Sequence, residues 1–180
     1  MIAQKPEFEI RDGVLICYNG CEETVVVPKE VTEIGRSAFM ENKTIKHIRI
    51  PDTVTEIGFR AFADCASLEE ADVPGSVRGI AAHAFMRCEN LRSVSLHEGL
   101  REIGTWAFGD CNSLKSITIP DTVNEIGQYA IGFREASYQE RYVYGMSHSF
   151  NHGFHIYHND NTAVIKYIAF HKLSIRMIRS

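Results

Sequence analysis

Nothing in this sequence approaches the roughly 20 consecutive apolar residues that a membrane-crossing helix needs. Its opening residues, MIAQKPEFEIRDG, hold one lysine and no apolar core of a secretory leader. Basic charge is also short: 19 Lys and Arg against 23 Asp and Glu give a formal net charge of −4. The cationic footprint of a nucleic-acid binder or of a protein held on anionic membranes is therefore missing. Catalytic signatures are missing too, with no GxSxG, no P-loop, no HExxH and no GxGxxG after a strand, so neither an enzyme nor a cofactor is expected. The five cysteines (Cys17, Cys21, Cys65, Cys88, Cys111) are odd in number and form no CxxC pair. Buried reduced thiols in a reducing compartment fit that count better than a disulfide framework. As written, the chain reads as cytoplasmic; a cell-surface or secreted protein is the alternative if a native signal peptide has been removed.

What the sequence has in excess is self-similarity. VTEIGRSAF (31–39) returns as VTEIGFRAF (54–62), VRGIAAHAF (77–85), LREIGTWAF (100–108) and VNEIGQYAI (123–131), at intervals of 23 without insertion or deletion. Such a period marks stacked units, none of which can bury its apolar edge alone. Each unit continues through Cys65, Cys88 or Cys111 (Asn42 in the first) to Ile45, Leu68, Leu91 or Leu114. An alternating pair follows: Val25/Val27, Ile48/Ile50, Ala71/Val73, Val94/Leu96, Ile117/Ile119. Alternation over a short run predicts a strand with one buried face, ended by Pro28, Pro51, Pro74 and Pro120. Around the Ala-Phe pair the apolar spacing widens to about 3, which predicts a helical or 3₁₀ turn on the convex side. Gly35, Gly58, Gly104 and Gly127 precede that turn, where either a positive φ or a close backbone approach would call for glycine. Ala81 in the third unit then implies an ordinary negative φ, or else strain.

These residues resemble the BspA-like leucine-rich repeat family, whose unit reads approximately V-x-x-I-G-x-x-A-F-x-x-C-x-x-L-x-x-h-x-h-P, with h apolar. Departures are Asn42 for Cys, Ala81 for Gly, His97 for Pro and Ile131 for Phe. The resemblance implies a right-handed leucine-rich-repeat solenoid with parallel strands stacked one per unit. It also implies bacterial surface or secreted proteins that adhere to host proteins or other cells.

The ends must cover the stack's edges, or these would pair with other chains. Residues 1–23, with Asp12-Gly13 and Asn19-Gly20 as strong hairpin turns, read as a β-hairpin cap. Residues 24–131 are the repeats, and 132–180 an irregular excursion followed by a strand-helix-strand cap. In that cap GFHIYH is a strand, Asn161 or Thr162 caps a helix over about Ala163 to Lys172, and SIRMI is the closing strand. Val164, Tyr167, Ile168 and His171 share one face of the helix. With both caps present, the expectation is one complete solenoid domain, monomeric or weakly homo-oligomeric.

Two clusters invite chemistry. The cysteine ladder could hold a soft metal or sense oxidation, but cysteine is also a small apolar filler, and packing is the stronger reading. His148, His152, His155 and His158 could ligate a metal, yet their spacing matches no zinc pattern, and a strand at 155–157 sends His155 and His158 to opposite faces. What remains is the outward strand row: His47, Arg49, Glu70, Asp72, Ser93, Ser95, Ser116 and Thr118. It starts basic, turns acidic and ends in hydroxyls. We read it as a face that binds a protein or peptide ligand without catalysis. A rigid assembly unit, or a metal- or redox-responsive protein, is the alternative.

Overall fold

In the computed structural model of the chain, residues 7–136, 148–151 and 153–171 are described. Two antiparallel strands come first, β1 (Phe8–Arg11) and β2 (Val14–Tyr18). Asp12 and Gly13 join them with φ of 51° and 80°, the positive pair that a two-residue type I′ turn requires. Asn19-Gly20 does not turn a second hairpin: Gly20 is not at positive φ, and the chain runs on to β3 (Thr24–Val26), which pairs with a different sheet. The residues after β2 are needed to cross the solenoid, so the local hairpin preference is overridden.

Each repeat then contributes the expected strand, and a second one besides. The expected strands are β3, β5 (His47–Arg49), β7 (Glu70–Val73), β9 (Ser93–Leu96) and β11 (Ser116–Thr118). The second set comprises the two-residue strands β4 (Glu33–Ile34), β6 (Glu56–Ile57), β8 (Gly79–Ile80), β10 (Glu102–Ile103) and β12 (Glu125–Ile126). These short strands lie parallel and in register, and with β1 and β2 they form a seven-stranded sheet. The wider sheet is continuous only over β3-β5-β7-β9; β11 pairs instead with β15 (His155–Tyr157) from the C-terminal region. The break follows the unit that ends in His97-Glu98-Gly99 where others have Pro-Asp-Thr or similar, and beside it Val94 and Leu96 are only half-buried.

Between the sheets the core is a set of columns. Phe39, Phe62, Phe85 and Phe108 stack face to face, with centroids 4.9, 4.9 and 5.2 Å apart and planes within 10°. Val31, Ile34, Ala38, Ile45 and their equivalents are buried around them. The Ala-Phe segment is a run of turns rather than a helix. Residues at two places per unit sit in the left-handed region: Ser37, Arg60, His83, Trp106 and Tyr129 (φ 55–61°), and Glu41, Asp64, Arg87 and Asp110 (φ 56–62°). The alternation aims every second N–H along the axis: Ser37, Phe39 and Glu41 donate to Phe59, Ala61 and Ala63 of the next unit. Ala38, Met40 and Asn42 donate back three residues within their own unit. Those cross-unit bonds hold a conformation that costs a non-glycine residue about 1–2 kcal/mol. Glycine serves a different need. Of the two possibilities, close approach applies, because a Cβ on Gly58 would lie 2.8 Å from the Ile34 carbonyl oxygen and one on Gly127 2.4 Å from the Thr105 nitrogen. Ala81 keeps a negative φ.

The excursion after Ile131 is more ordered than expected where it is described. β13 (Phe133–Glu135) and β14 (His148–Phe150) pair antiparallel, because Phe133 and Phe150 continue the apolar edge of the last repeat. The helix α1 spans Thr162–Phe170, and Asn161, not Thr162, is its N-cap. Val164 and Tyr167 are buried and Ile168 packs against the core. The aromatic stretch within 137–147, His152 and the expected SIRMI strand lie outside the described residues.

Candidate functional site

The long strands put two columns of side chains on the outer face. Thr24, His47, Glu70 and Ser93 are in register, and beside them Val26, Arg49, Asp72 and Ser95. Val26 is 62 % exposed. His47, Arg49, Glu70, Asp72, Ser93 and Ser95, with Thr24, line a groove of about 700 Å³. Ser116 and Thr118 face the same way but lie past the sheet break, on β11, outside that groove. There β15 extends the face by another rung: His155 pairs with Ser116 and Tyr157 with Thr118.

Charge in the groove is organised around β7. His47 Nδ1 lies 3.5 Å from Glu70 Oε2, and His97 Nε2 lies 2.8 Å from Asp72 Oδ1. Arg49 forms no ion pair among the described residues. Along one border Lys46 pairs with Glu23 at 2.8 Å and Arg92 with Glu69 at 3.2 Å, each bond spanning one repeat. The Glu23 hydrogen bond raises the Lys46 pKa above the usual lysine value. Ile48, Ile50 and Ala71 complete the lining among these polar side chains, so the surface can offer hydrogen bonds and paired charges to a ligand lying across the rungs.

Thr24 and Tyr157 were not picked out by the sequence reasoning, His155 only as a possible metal ligand, and His97 only as a departure from the repeat. His97 carried a signal, since it stands where four units have proline. The strand β15 could be read from the sequence, but its pairing with β11 could not, because that pairing spans the whole excursion.

The other candidates separate cleanly. Cys65, Cys88 and Cys111 each donate a thiol hydrogen bond, at 3.0–3.1 Å, to the carbonyl of Phe39, Phe62 or Phe85 in the unit before. Burial pushes the Cys65 thiol up to about 12 and those of Cys88 and Cys111 well above the usual range, so they are neither thiolate ligands nor nucleophiles at neutral pH. Asn42 has no phenylalanine carbonyl below it, and its side chain instead accepts from Thr44 and Ile45 N–H. Cys17 and Cys21 are unpaired. The histidines are dispersed: His148 packs on Tyr129 at 3.7 Å, His155 is on the outer face, and His158 is buried. Among the described residues no three His, Cys, Asp or Glu side chains are placed to hold a metal. No described helix is long and apolar enough to cross a membrane.

The sequence profile of the BspA type Leucine rich repeat region matches residues 15–137 in six copies. The chain belongs to this family. No curated protein is recognisably similar to it. Among solved structures, the Leucine Rich Repeat protein of T. pallidum is similar at 31 % identity and a TM-score of 0.64, over 65 % of this chain and 57 % of that one. A leucine-rich repeat protein from Bacteroides ovatus is 26 % identical with a TM-score of 0.54, over 58 % of this chain and 27 % of that one. The pneumococcal vaccine antigen PcpA shares the fold over 94 % of this chain and 44 % of its own, at 20 % identity and a TM-score of 0.58. The chain thus spans little more than half the length of the first of these relatives and about a quarter of the second. In this BspA-type repeat the conserved spacing supplies the buried columns, and the groove is written in the residues that the repeat leaves free.

Proposed function

We propose that the protein is a non-enzymatic interaction module that binds a protein or peptide on its outer strand face. The observation that carries this reading is the groove itself: six residues of differing charge from three successive rungs line one cavity of about 700 Å³. A repeat scaffold presents such a row as one continuous surface, and the mixed polarity suits a protein ligand better than a lipid or a polyanion. Adhesion to other proteins or cells is the form of binding that the family implies.

The test is affinity capture with the wild type, a Glu70→Lys/Asp72→Lys variant and a Glu102→Lys control, which alters charge on the opposite sheet. Partners retained by wild type and control but lost by the double variant are the expected result. Partners retained by all three would move the site away from this face.

A further inference from the structure

Along the turn ladder, alternate N–H groups donate to the unit that follows, as Trp106 does to the Gln128 carbonyl and Phe108 to that of Ala130. In the last unit the corresponding donors are Tyr129 and Ile131, and no further unit exists to receive them. Side chains of the C-terminal cap take its place. Tyr129 N–H donates to His171 Nε2 at 3.4 Å, and Ile131 N–H to the Tyr167 hydroxyl at 2.9 Å, which in turn donates to the Ile131 carbonyl.

A second imidazole acts the same way at the other end of α1. His158, 3 % exposed, accepts the Asn161 N–H on Nδ1 at 3.1 Å, while its Nε2 has no hydrogen-bond partner. Asn161 is the joint of the cap. Its Oδ1 accepts from Ala163 and Val164 N–H, and its Nδ2 donates to the carbonyls of Pro120 and Val123 in the last repeat.

An imidazole nitrogen accepts only while it carries no proton. Protonation of His171 would set N–H against N–H at Tyr129. The described groups around His171 are Tyr129, Phe133, Tyr167, Phe170 and His148, with Glu125 and Lys166 lining the adjacent groove. His171 forms no ion pair among the described residues that would favour its charged form.

We propose that the C-terminal cap is a pH-operated latch on the strand face: α1 stays docked on the last repeat while His171 is neutral and accepts the Tyr129 N–H, and acidification releases it together with the His155–Tyr157 rung. This rests on the strand-face reading above, because the released rung belongs to that face. Burial, and after it His148, holds the His171 imidazole below the usual histidine value. The stability contributed by the neutral ring is therefore present above the unfolded value of about 6.5 and is lost as pH falls through the lower folded one. Between those two values, uptake of one proton by His171 on release raises the cap-opening constant by roughly tenfold per pH unit.

Amide exchange followed by NMR at about pH 7.5 and about pH 5, the range over which histidine changes charge, tests this without any partner. The expected result is lost protection, after correction for intrinsic exchange, at Tyr129, Ile131 and the amides of β15 and α1, with β5 and β7 still protected. The His171→Gln variant supplies an oxygen acceptor that does not titrate, and its cap should stay docked at both pH values. A wild-type cap that remains protected at the lower pH, or that unfolds only together with the repeats, overturns the latch; so does a variant cap that opens as the wild type does. If that variant does not fold, the wild-type comparison of cap with repeats decides alone. Loss of the strand-face reading would appear only in the capture experiment, so the two failures are distinguishable.

Discussion

A column residue acts on both neighbouring units at once, which sets the energetic scale of single changes. Phe62 and Phe85 are fully buried and each is stacked between two rings. Phe62→Ala or Phe85→Ala should cost about 3–5 kcal/mol by urea unfolding, whereas exposed Ser95→Ala should stay within about 0.5 kcal/mol; equal small effects would contradict the stack. Cysteine reactivity follows the same division. Ellman's reagent should modify Cys17 and Cys21 in the native protein and reach Cys65, Cys88 and Cys111 only after denaturation, since those three are buried and bonded to carbonyls. Fast modification of a ladder cysteine under native conditions would reopen its redox reading. At this scale much was legible: the inward residues repeat because each must cover the next. His97 was visible as a departure from proline but not as a partner of Asp72, since that contact joins residues 25 apart.

Among the elements, the turn ladder and the cap show where local reasoning runs out. The widened apolar spacing around Ala-Phe suggested a helical turn, and the alternation of left- and right-handed residues was invisible to it. Arg60 and Trp106 have no intrinsic preference for positive φ; cross-unit hydrogen bonds impose it. The cap extends the same logic by side chains. Tyr167→Phe would leave the Ile131 N–H and carbonyl without their shared partner, and a loss of about 1–3 kcal/mol is expected in thermal or denaturant unfolding. Asn161→Ala removes the helix cap and the amide's bonds to the carbonyls of Pro120, Asp121 and Val123, so it should destabilise by more than the roughly 1 kcal/mol typical of an N-cap alone. A neutral outcome for both would mean that α1 is not docked as described. The helix, its apolar face and the strand at 155–157 could be read from spacing, but their attachment points on Pro120, Val123 and Ile131 could not.

For the whole molecule, the second sheet has an electrostatic consequence that the sequence alone did not suggest. Its register places Glu33, Glu56, Glu102 and Glu125 in one column, with Gly79 the single gap. The Glu56 carboxylate leans over that gap, and burial, then Glu102 and Glu33, raise its pKa above the usual value. A carboxylate whose folded value is raised favours the fold below its unfolded value and loses that contribution as pH rises through the folded one. Glu56→Gln should therefore stabilise the protein by a few tenths of a kcal/mol at neutral pH, and the gain in Tm should vanish as the buffer is taken down into the carboxylate range. No gain at neutral pH would show that solvent screens the column fully. Taken by itself, the sequence determined the period, the buried columns, the strand with its outward row and the family, because stacking forces identical residues to recur at identical places. Only the tertiary structure decided the second sheet, the positive-φ turns, the rung added by β15 and the histidines that hold the cap. Each depends on a hydrogen bond between segments that no local spacing relates.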